Sequence, residues 1–421
     1  MNETRPAAPG AVTARLAARG LAVLTLVNLF NYLDRFVVAS LVESLRASEL
    51  RLTDTQAGAL MTGFIVVYMA ASPFFGVLGD RGSRPRLLAL GVFVWSLATA
   101  AAGLARSFAS LFAARAAVGI GEAAYGTIAP SLLADYFPKE KRGRVYAVFF
   151  CAIPIGSALG YIVGGWADAN LGWRSAFYVA GLPGLLLALL ALTLPDPPRG
   201  ITDAADPGAA PPAGAPKEAG WGSYLALARN RPFRIAVLGY AAYTFGIGGM
   251  AFWMPAFLER VRGVPKEAAT IQFGLVVVVT GFVGTFAGGF VGDALLKRTK
   301  EAYLWVSGVA TLLAVPFAFV ALTVPSRPVY LPSLVVAQLL VFASTGPINS
   351  AIVNDVLPWQ RAAAVAACNF AIHVLGDVPS PPLLGALSDA TSLASAVLLV
   401  PVAFLVGGAV WTWGALTGRR E

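Results

Sequence analysis

Long apolar runs alternate with short polar breaks along almost the whole chain, and the runs have the length of a bilayer crossing. A helix needs about 20 mostly apolar residues to cross a hydrocarbon layer of roughly 30 Å. Such runs fall at 20–45, 56–79, 86–105, 108–134, 144–167 and 174–194, and after a break at 233–258, 268–293, 302–324, 330–354, 360–388 and 391–416. The pattern predicts twelve spanning helices in two sets of six. The break at 195–232 carries Pro195, Pro197, Pro198, Pro207, Pro211, Pro212 and Pro216 among small residues. Proline removes backbone donors and breaks helices, so this stretch is expected to be a flexible linker without a packed helix. The expected organisation is a six-helix bundle over 1–194, a linker over 195–232 and a second bundle over 233–421.

Composition agrees with lipid as the solvent. Of 421 residues, 57% are apolar and only 13% charged, and the mean hydropathy is +0.71; a soluble domain is about one quarter charged. The chain is therefore expected to be an all-α integral membrane protein. Its net charge of +9 does not point to nucleic acid, because the basic residues sit in short loops between apolar runs. That distribution is topogenic, since Lys- and Arg-rich loops stay on the cytoplasmic side. Arg5, Arg15 and Arg19, then Arg81, Arg84 and Arg86, then Lys139, Lys141, Arg142 and Arg144, with clusters at 229–234 and 297–300, place both termini and the linker in the cytoplasm. The first apolar run holds Asp34 and Arg35 and is too long for a cleaved signal segment. Cys151 and Cys368 lie within apolar stretches and behave as small hydrophobes.

The two halves share a signature. Gly76, Asp80 and Arg84 follow the second run at spacings of four, and Gly289, Asp293 and Lys297 follow the eighth at the same spacings. Such repetition fits a transporter built from two related halves. The stretch GVLGDRGSRPR from Gly76 to Arg86 resembles the gating motif of the major facilitator superfamily, with Ser83 in place of the motif's second glycine. Gly156, Gly160, Gly164 and Gly165 resemble that superfamily's glycine-rich fifth helix, and small residues four apart let helices approach closely. NYLDRF from Asn31 to Phe36, the run from Arg115 through Glu122 to Tyr125 and on to Pro130, and the run from Ile372 to Pro381 resemble the spinster branch. The resemblance implies two pseudo-symmetric six-helix bundles, a solute site near mid-membrane that is exposed alternately to each side by rocking of the halves, and an amphipathic lipid such as a lysophospholipid or sphingosine-1-phosphate as solute. A small organic anion taken up with protons, or a hydrophobic drug expelled against them, is the alternative.

Ionisable side chains inside a spanning helix are costly and by default mark function. Asp34 and Arg35 lie in the first helix, Arg115 and Glu122 in the fourth. Seven residues rotate a helix by nearly two full turns, so Arg115 and Glu122 share one face. Asp34 and Glu122 are the candidate proton carriers, and Arg35 and Arg115 the groups that hold them or an anionic headgroup. The structural alternative is a neutral quartet that only pins two helices together. His373 is the single histidine, and Asp377 follows it one turn later. It suits proton relay as well as it suits a plain His–Asp hydrogen bond. Asn31, Tyr32, Phe36, Tyr125 and Asp377 are candidate cavity residues, although aromatics in such bundles mostly pack. At the cytoplasmic ends, Gly76, Asp80, Arg81 and Arg84, with Asp135, Arg142 and Arg144, are expected to form a gate in which Asp80 pairs with Arg81 and Arg84, and Asp135 with Arg142 and Arg144.

Other classes fit poorly. None of the six lysines follows a glycine, so no phosphate-cradling loop for ATP is present. The sequence GIGEAA from Gly119 to Ala124 lies inside a spanning run, where close helix packing explains it better than a nucleotide fold. A single histidine and the lack of a nucleophile elbow leave no familiar catalytic site for a membrane enzyme. The expectation is a monomeric transporter without cofactor or metal, with the proton as coupling ion, in a bacterial cytoplasmic membrane.

Overall fold

The computed structural model describes residues 13–202, 221–354, 356 and 360–418, and among them all regular structure is helical. The chain divides into two compact units. The first comprises residues up to Val38 and Gly63–Gly214; the second comprises Ala39–Thr62 and Ala215 onward. The boundary at 214 falls inside the expected linker. The assignment of 39–62 to the second unit, however, was not foreseen.

The first unit holds most of α1 (Ala14–Ser40) and of α3 (Asp54–Arg81), followed by α4 (Arg84–Ala102), α5 (Phe108–Tyr136), α6 (Lys139–Leu171) and α7 (Trp173–Leu192). Glycines set how closely these helices approach. A Cβ on Gly121 of α5 would stand 2.6 Å from the Trp95 nitrogen of α4, and one on Gly91 of α4 would stand 2.7 Å from the Gly121 carbonyl oxygen. Likewise, a Cβ on Gly160 of α6 would stand 2.6 Å from the Leu33 carbonyl oxygen of α1. Neither crossing tolerates a side chain, which is the role expected of the Gly156 series and of Gly119 and Gly121.

The second unit contains α2 (Val42–Ala47), α8 (Trp221–Arg229), α9 (Arg231–Arg260), α10 (Lys266–Leu296), α11 (Ala302–Thr323), α12 (Arg327–Ala343), α13 (Thr345–Asn354), α14 (Arg361–Ile372), α15 (Ser380–Ala390), α16 (Leu393–Ala396) and α17 (Leu399–Gly418). Here α11 packs between α12 and α17, and α17 packs on α9. Between α14 and α15 the helix widens into a π segment, His373–Asp377, in which Val378 N donates to His373 O at 3.1 Å. Pro379, Pro381 and Pro382 follow it directly. They bring no backbone donors, so the helix here forgoes regular bonding.

The expected spans recur as helices, and one expectation, that for the linker, changes. Among the described residues, eleven helical stretches are long and apolar enough to cross a membrane. The twelfth expected span, α5, is helical over 29 residues but holds Arg115, Glu122 and Asp135, and it is not one of the eleven. The stretch 195–232 was expected to lack packed helix, yet α8 forms at its far end and its Leu227 is buried.

Candidate functional site

In the first unit, α1 is drawn onto α6 by Gly156 and Gly160, and α5 onto α4 by the Gly91–Gly121 crossing. In the same unit Asp34 and Arg35 of α1 meet Arg115 and Glu122 of α5. Asp34, Arg115 and Glu122 are fully buried, whereas the Arg35 side chain keeps 19% of its exposure.

The pairing is crossed. Arg115 Nη1 donates to Asp34 Oδ1 at 2.9 Å, and Arg35 Nη2 donates to Glu122 Oε2 at 2.7 Å. Arg115 and Glu122 are separated by about 10.5 Å of axial rise, whereas Asp34 and Arg35 are sequence neighbours. The two long guanidinium side chains span the difference. Thr99 of α4 donates its hydroxyl to Asp34 Oδ2 and completes that carboxylate's bonding. The Arg35 guanidinium carbon lies 4.7 Å from the Tyr32 ring centroid, 5.0 Å from that of Phe64 and 5.5 Å from that of Tyr68. Phe64 also lies 5.7 Å from Arg115. The rings shield the cations without using their hydrogen-bond donors.

The quartet is neutral but not saturated. Arg115 Nε and Nη2, Arg35 Nε, Glu122 Oε1 and Asn31 Nδ2 are buried without a hydrogen-bond partner among the described residues. Buried polar atoms are normally bonded, so several orphans in one place mark a spot where water, a proton or a polar ligand group belongs. Asp34, Arg35, Arg115, Glu122 and Tyr32 are thus brought together, and Asn31 is buried one turn before Arg35 on α1.

Tyr125 is not part of this site. Its hydroxyl donates to the Leu24 carbonyl at 2.6 Å, and its ring stands edge-on to Trp95 with centroids 5.7 Å apart. At 2% exposure it packs α5 against α1 and α4, because a fully buried phenol must spend its donor locally. Phe36 leans on Tyr161 of α6 at 5.3 Å. In the second unit, His373 Nδ1 lies 2.9 Å and 3.0 Å from the two carboxylate oxygens of Asp377, across the π segment.

The gate residues sort differently from expectation. Arg84 is 2% exposed and reaches Asp135 Oδ2 at 2.5 Å and Asp196 Oδ1 at 2.9 Å; it also donates to the Pro197 carbonyl at 2.6 Å. Asp135 is therefore the partner of Arg84, and its second oxygen accepts from Gly200 N at 2.8 Å. Arg142 donates instead to the Ala134 carbonyl at 3.0 Å and to the Thr202 hydroxyl at 2.8 Å. Asp80, Arg81 and Arg144 are exposed and make no ion pair among the described residues, and a Cβ on Gly76 would meet only the Thr127 methyl, at 3.7 Å. The physical reason is the chain after α7. Arg199 Nη2 donates to the Gly79 and Gly82 carbonyls at 2.6 Å each, so residues 195–202 occupy the end of α3 and supply the acid that Asp80 was expected to provide. The sequence signal for this was available in the charged residues Asp196 and Arg199, set among prolines.

A second cluster in the second unit was missed. Arg260 at the end of α9 contacts Glu43 Oε1 at 2.5 Å and Asp54 Oδ2 at 2.6 Å. Arg46 lies 2.9 Å from Asp54 and 3.3 Å from Glu43, and Ser388 donates to Asp54 at 2.5 Å. Asp389 accepts from the Asp54 and Thr55 amides at 2.9 Å each and so caps α3. Lys266 donates to the Ser44 hydroxyl. These bonds tie 39–62 to α9 and α15.

A helical membrane protein with a neutral ion quartet buried in its spanning helices has the build of a membrane transporter. Residues 24–381 match the family described as the Major Facilitator Superfamily. Protein spinster homolog 3 of Danio rerio is 34% identical, over 94% of this chain and 84% of that protein. The sphingosine-1-phosphate transporter SPNS2 of Danio rerio is 33% identical, over 92% of this chain and 81% of that protein. Protein spinster of Drosophila melanogaster is 34% identical over 90% of this chain, which spans 64% of that relative's length. Among solved structures, a bacterial homolog of the human lysosomal transporter Spinster superposes with a TM-score of 0.87 at 24% identity, covering 97% of this chain and 99% of that one. The chain belongs to the spinster branch of the Major Facilitator Superfamily. It is an integral membrane transporter and not an enzyme.

Proposed function

We propose that this protein is a secondary active transporter of an amphipathic lipid carrying an anionic headgroup, such as a lysophospholipid or sphingoid phosphate, moved by alternating access and coupled to protons. The observation that carries this reading is the set of unspent donors in the quartet, Arg115 Nε and Nη2 and Arg35 Nε, beside the open Glu122 Oε1. An anionic headgroup would take the donors, and a proton would take the carboxylate. Either event competes with an existing arginine–carboxylate bond, which links occupancy to protonation. The aromatic rings of Tyr32, Phe64 and Tyr68 around Arg35 supply an apolar wall beside the charged end. The likeness to SPNS2, a sphingosine-1-phosphate transporter, supports the lipid class. His373 with Asp377 is a further candidate for proton relay, and Arg84 with Asp135 for the cytoplasmic gate.

The reading includes cytoplasmic termini, a monomer and a bacterial cytoplasmic membrane. The test is uptake into proteoliposomes of labelled lysolipids against small organic anions, with and without a pH gradient. Saturable lipid uptake that rises with the gradient supports it. Uptake of organic anions alone would replace the lipid reading with an anion–proton symporter.

A further inference from the structure

A second feature lies wholly within the second unit and shares no residue with the quartet. Where α9 and α11 begin and α10, α13 and α17 end, a cavity of about 480 Å³ opens, lined among others by Arg231, Lys300, Glu301, Tyr303 and Asn354 over an apolar floor of Ile235, Leu296, Leu304 and Ala351. Small-molecule sites run from roughly 300 to 1,000 Å³, so the volume is ample for a lipid headgroup. We propose that this cavity binds the phosphate of an anionic membrane phospholipid, with Arg231 and Lys300 as its ligands and the acyl chains running along the outside of the helices.

Depth is the first support. Spans Arg231–Arg260, Lys266–Leu296, Ala302–Thr323 and Leu393–Gly418 all begin or end at the cavity, which sets it at the edge of the apolar layer, where headgroups lie. Trp413 is 53% exposed beside it, and the Arg231 guanidinium carbon stands 5.5 Å from the Trp413 ring centroid. A tryptophan stacked with a cation at a helix end is the pattern of a membrane interface. Leu416 and Leu238, at 51% and 55% exposure, continue the apolar surface away from it.

Charge is the second support. Two helix starts offset two of the three helix ends that meet here, leaving about half a negative charge that the basic side chains outweigh. Arg231 and Lys300 line the cavity and Arg229, Arg234, Lys297 and Arg298 flank it in sequence, against the carboxylates of Glu301 and Asp293. Both acids are engaged locally: Glu301 Oε2 accepts from the Thr299 hydroxyl at 2.5 Å, and Asp293 accepts from Tyr303 at 3.0 Å. Lys300 is exposed and makes no ion pair or hydrogen bond with the described residues. Topogenic arginines and lysines need only lie in a loop, whereas these two stand at the mouth of a cavity with an apolar floor. Basic pockets at helix ends on the cytoplasmic side are suited to anionic headgroups.

The experiment is thermal unfolding of the full chain in detergent, titrated separately with dioctanoyl phosphatidylglycerol, dioctanoyl phosphatidylcholine and inorganic phosphate. Binding to the folded state raises Tm with ligand concentration. Phosphatidylglycerol is expected to raise Tm at concentrations where the other two do not, and Lys300→Gln is expected to move its titration midpoint about fivefold higher. Lys300 is exposed, so this variant folds; Arg231→Gln should add a second shift of similar size. The control pair Lys297→Gln with Arg298→Gln removes cations outside the cavity and should move the midpoint less than twofold. Equal response to phosphatidylglycerol and phosphatidylcholine, full response to inorganic phosphate, or an equal shift in the control pair overturns the proposal. A phospholipid lodged at the quartet instead would be indifferent to Lys300→Gln, so the result does not depend on what the transporter carries.

Discussion

Arg35 and Glu122 are joined through a single carboxylate oxygen, Oε2 at 2.7 Å, while Oε1 of the same group is left open in a fully buried setting. The bond is therefore strong enough to orient the acid and incomplete enough to admit a proton or a polar group. Glu122→Gln keeps the shape and removes the charge. Arg35 retains exposure and three ring faces, so the variant is expected to fold and to sustain lipid counterflow, yet to lose stimulation by a pH gradient. Proteoliposome uptake at equal and unequal pH reads this directly; a gradient response equal to wild type would remove Glu122 from proton coupling.

Asp34 and Arg115 have no exposed side-chain surface at all. Removing one partner of such a pair leaves a buried uncompensated charge, at a cost of about 3–5 kcal/mol. Asp34→Asn is expected to lower Tm substantially, and adding Arg115→Gln should restore part of the loss because the stranded charge is gone. Differential scanning measurements on both single variants and the double variant check the sign; a double variant less stable than either single one would contradict the pairing.

Tyr125→Phe tests the reassignment of that residue. It deletes one hydrogen bond to the Leu24 carbonyl and keeps the ring against Trp95. The expected loss is about 1 kcal/mol of stability, with transport rates within twofold of wild type. A large rise in substrate KM at unchanged Tm would return Tyr125 to the binding site.

Arg260 binds both Glu43 and Asp54, and through them fastens residues 39–62 to the second unit. Arg260→Gln should loosen that segment in particular. Hydrogen exchange in Val42–Ala47 is expected to accelerate about tenfold, equivalent to losing 1–2 kcal/mol of charge-assisted bonding. Unchanged exchange there would mean that Asp389, capping α3 from α15, suffices without the arginine.

Arg84→Ala removes one anchor of residues 195–202. Asp196 keeps only the backbone amide of residue 84, the Pro197 carbonyl loses its donor, and Asp135 keeps only the Gly200 amide. Faster proteolysis within 195–202, with little change in global Tm, is the expected outcome; protection equal to wild type would assign the docking to Arg199 together with the Tyr136–Pro195 and Arg142–Thr202 bonds.

Most of the architecture was legible because the bilayer imposes it locally. Apolar length, the proline-rich break and the asymmetry of arginine and lysine are properties of neighbouring residues, and they located the helices to within a few positions. The glycine series was legible for the same reason: a missing side chain has one common use in a packed helix, and Gly121 and Gly160 serve it. Asp34, Arg35, Arg115 and Glu122 stood out because lipid does not tolerate them unpaired. Partners were another matter. Asp135 was assigned to Arg142 and Arg144 by nearness along the chain, but it belongs to Arg84, because the stretch after α7 folds back under the end of α3.

From sequence alone came the class, the helices, the charged faces and the family, since each depends on local hydrophobicity or on short motifs. Only the tertiary structure decided that Asp34 pairs with Arg115 and Arg35 with Glu122, that the Tyr125 hydroxyl bonds to the Leu24 carbonyl, and that residues 39–62 join the second unit. Those outcomes depend on which side chains of different helices lie within about 3 Å of one another, a distance set by helix crossings that no single stretch of chain encodes.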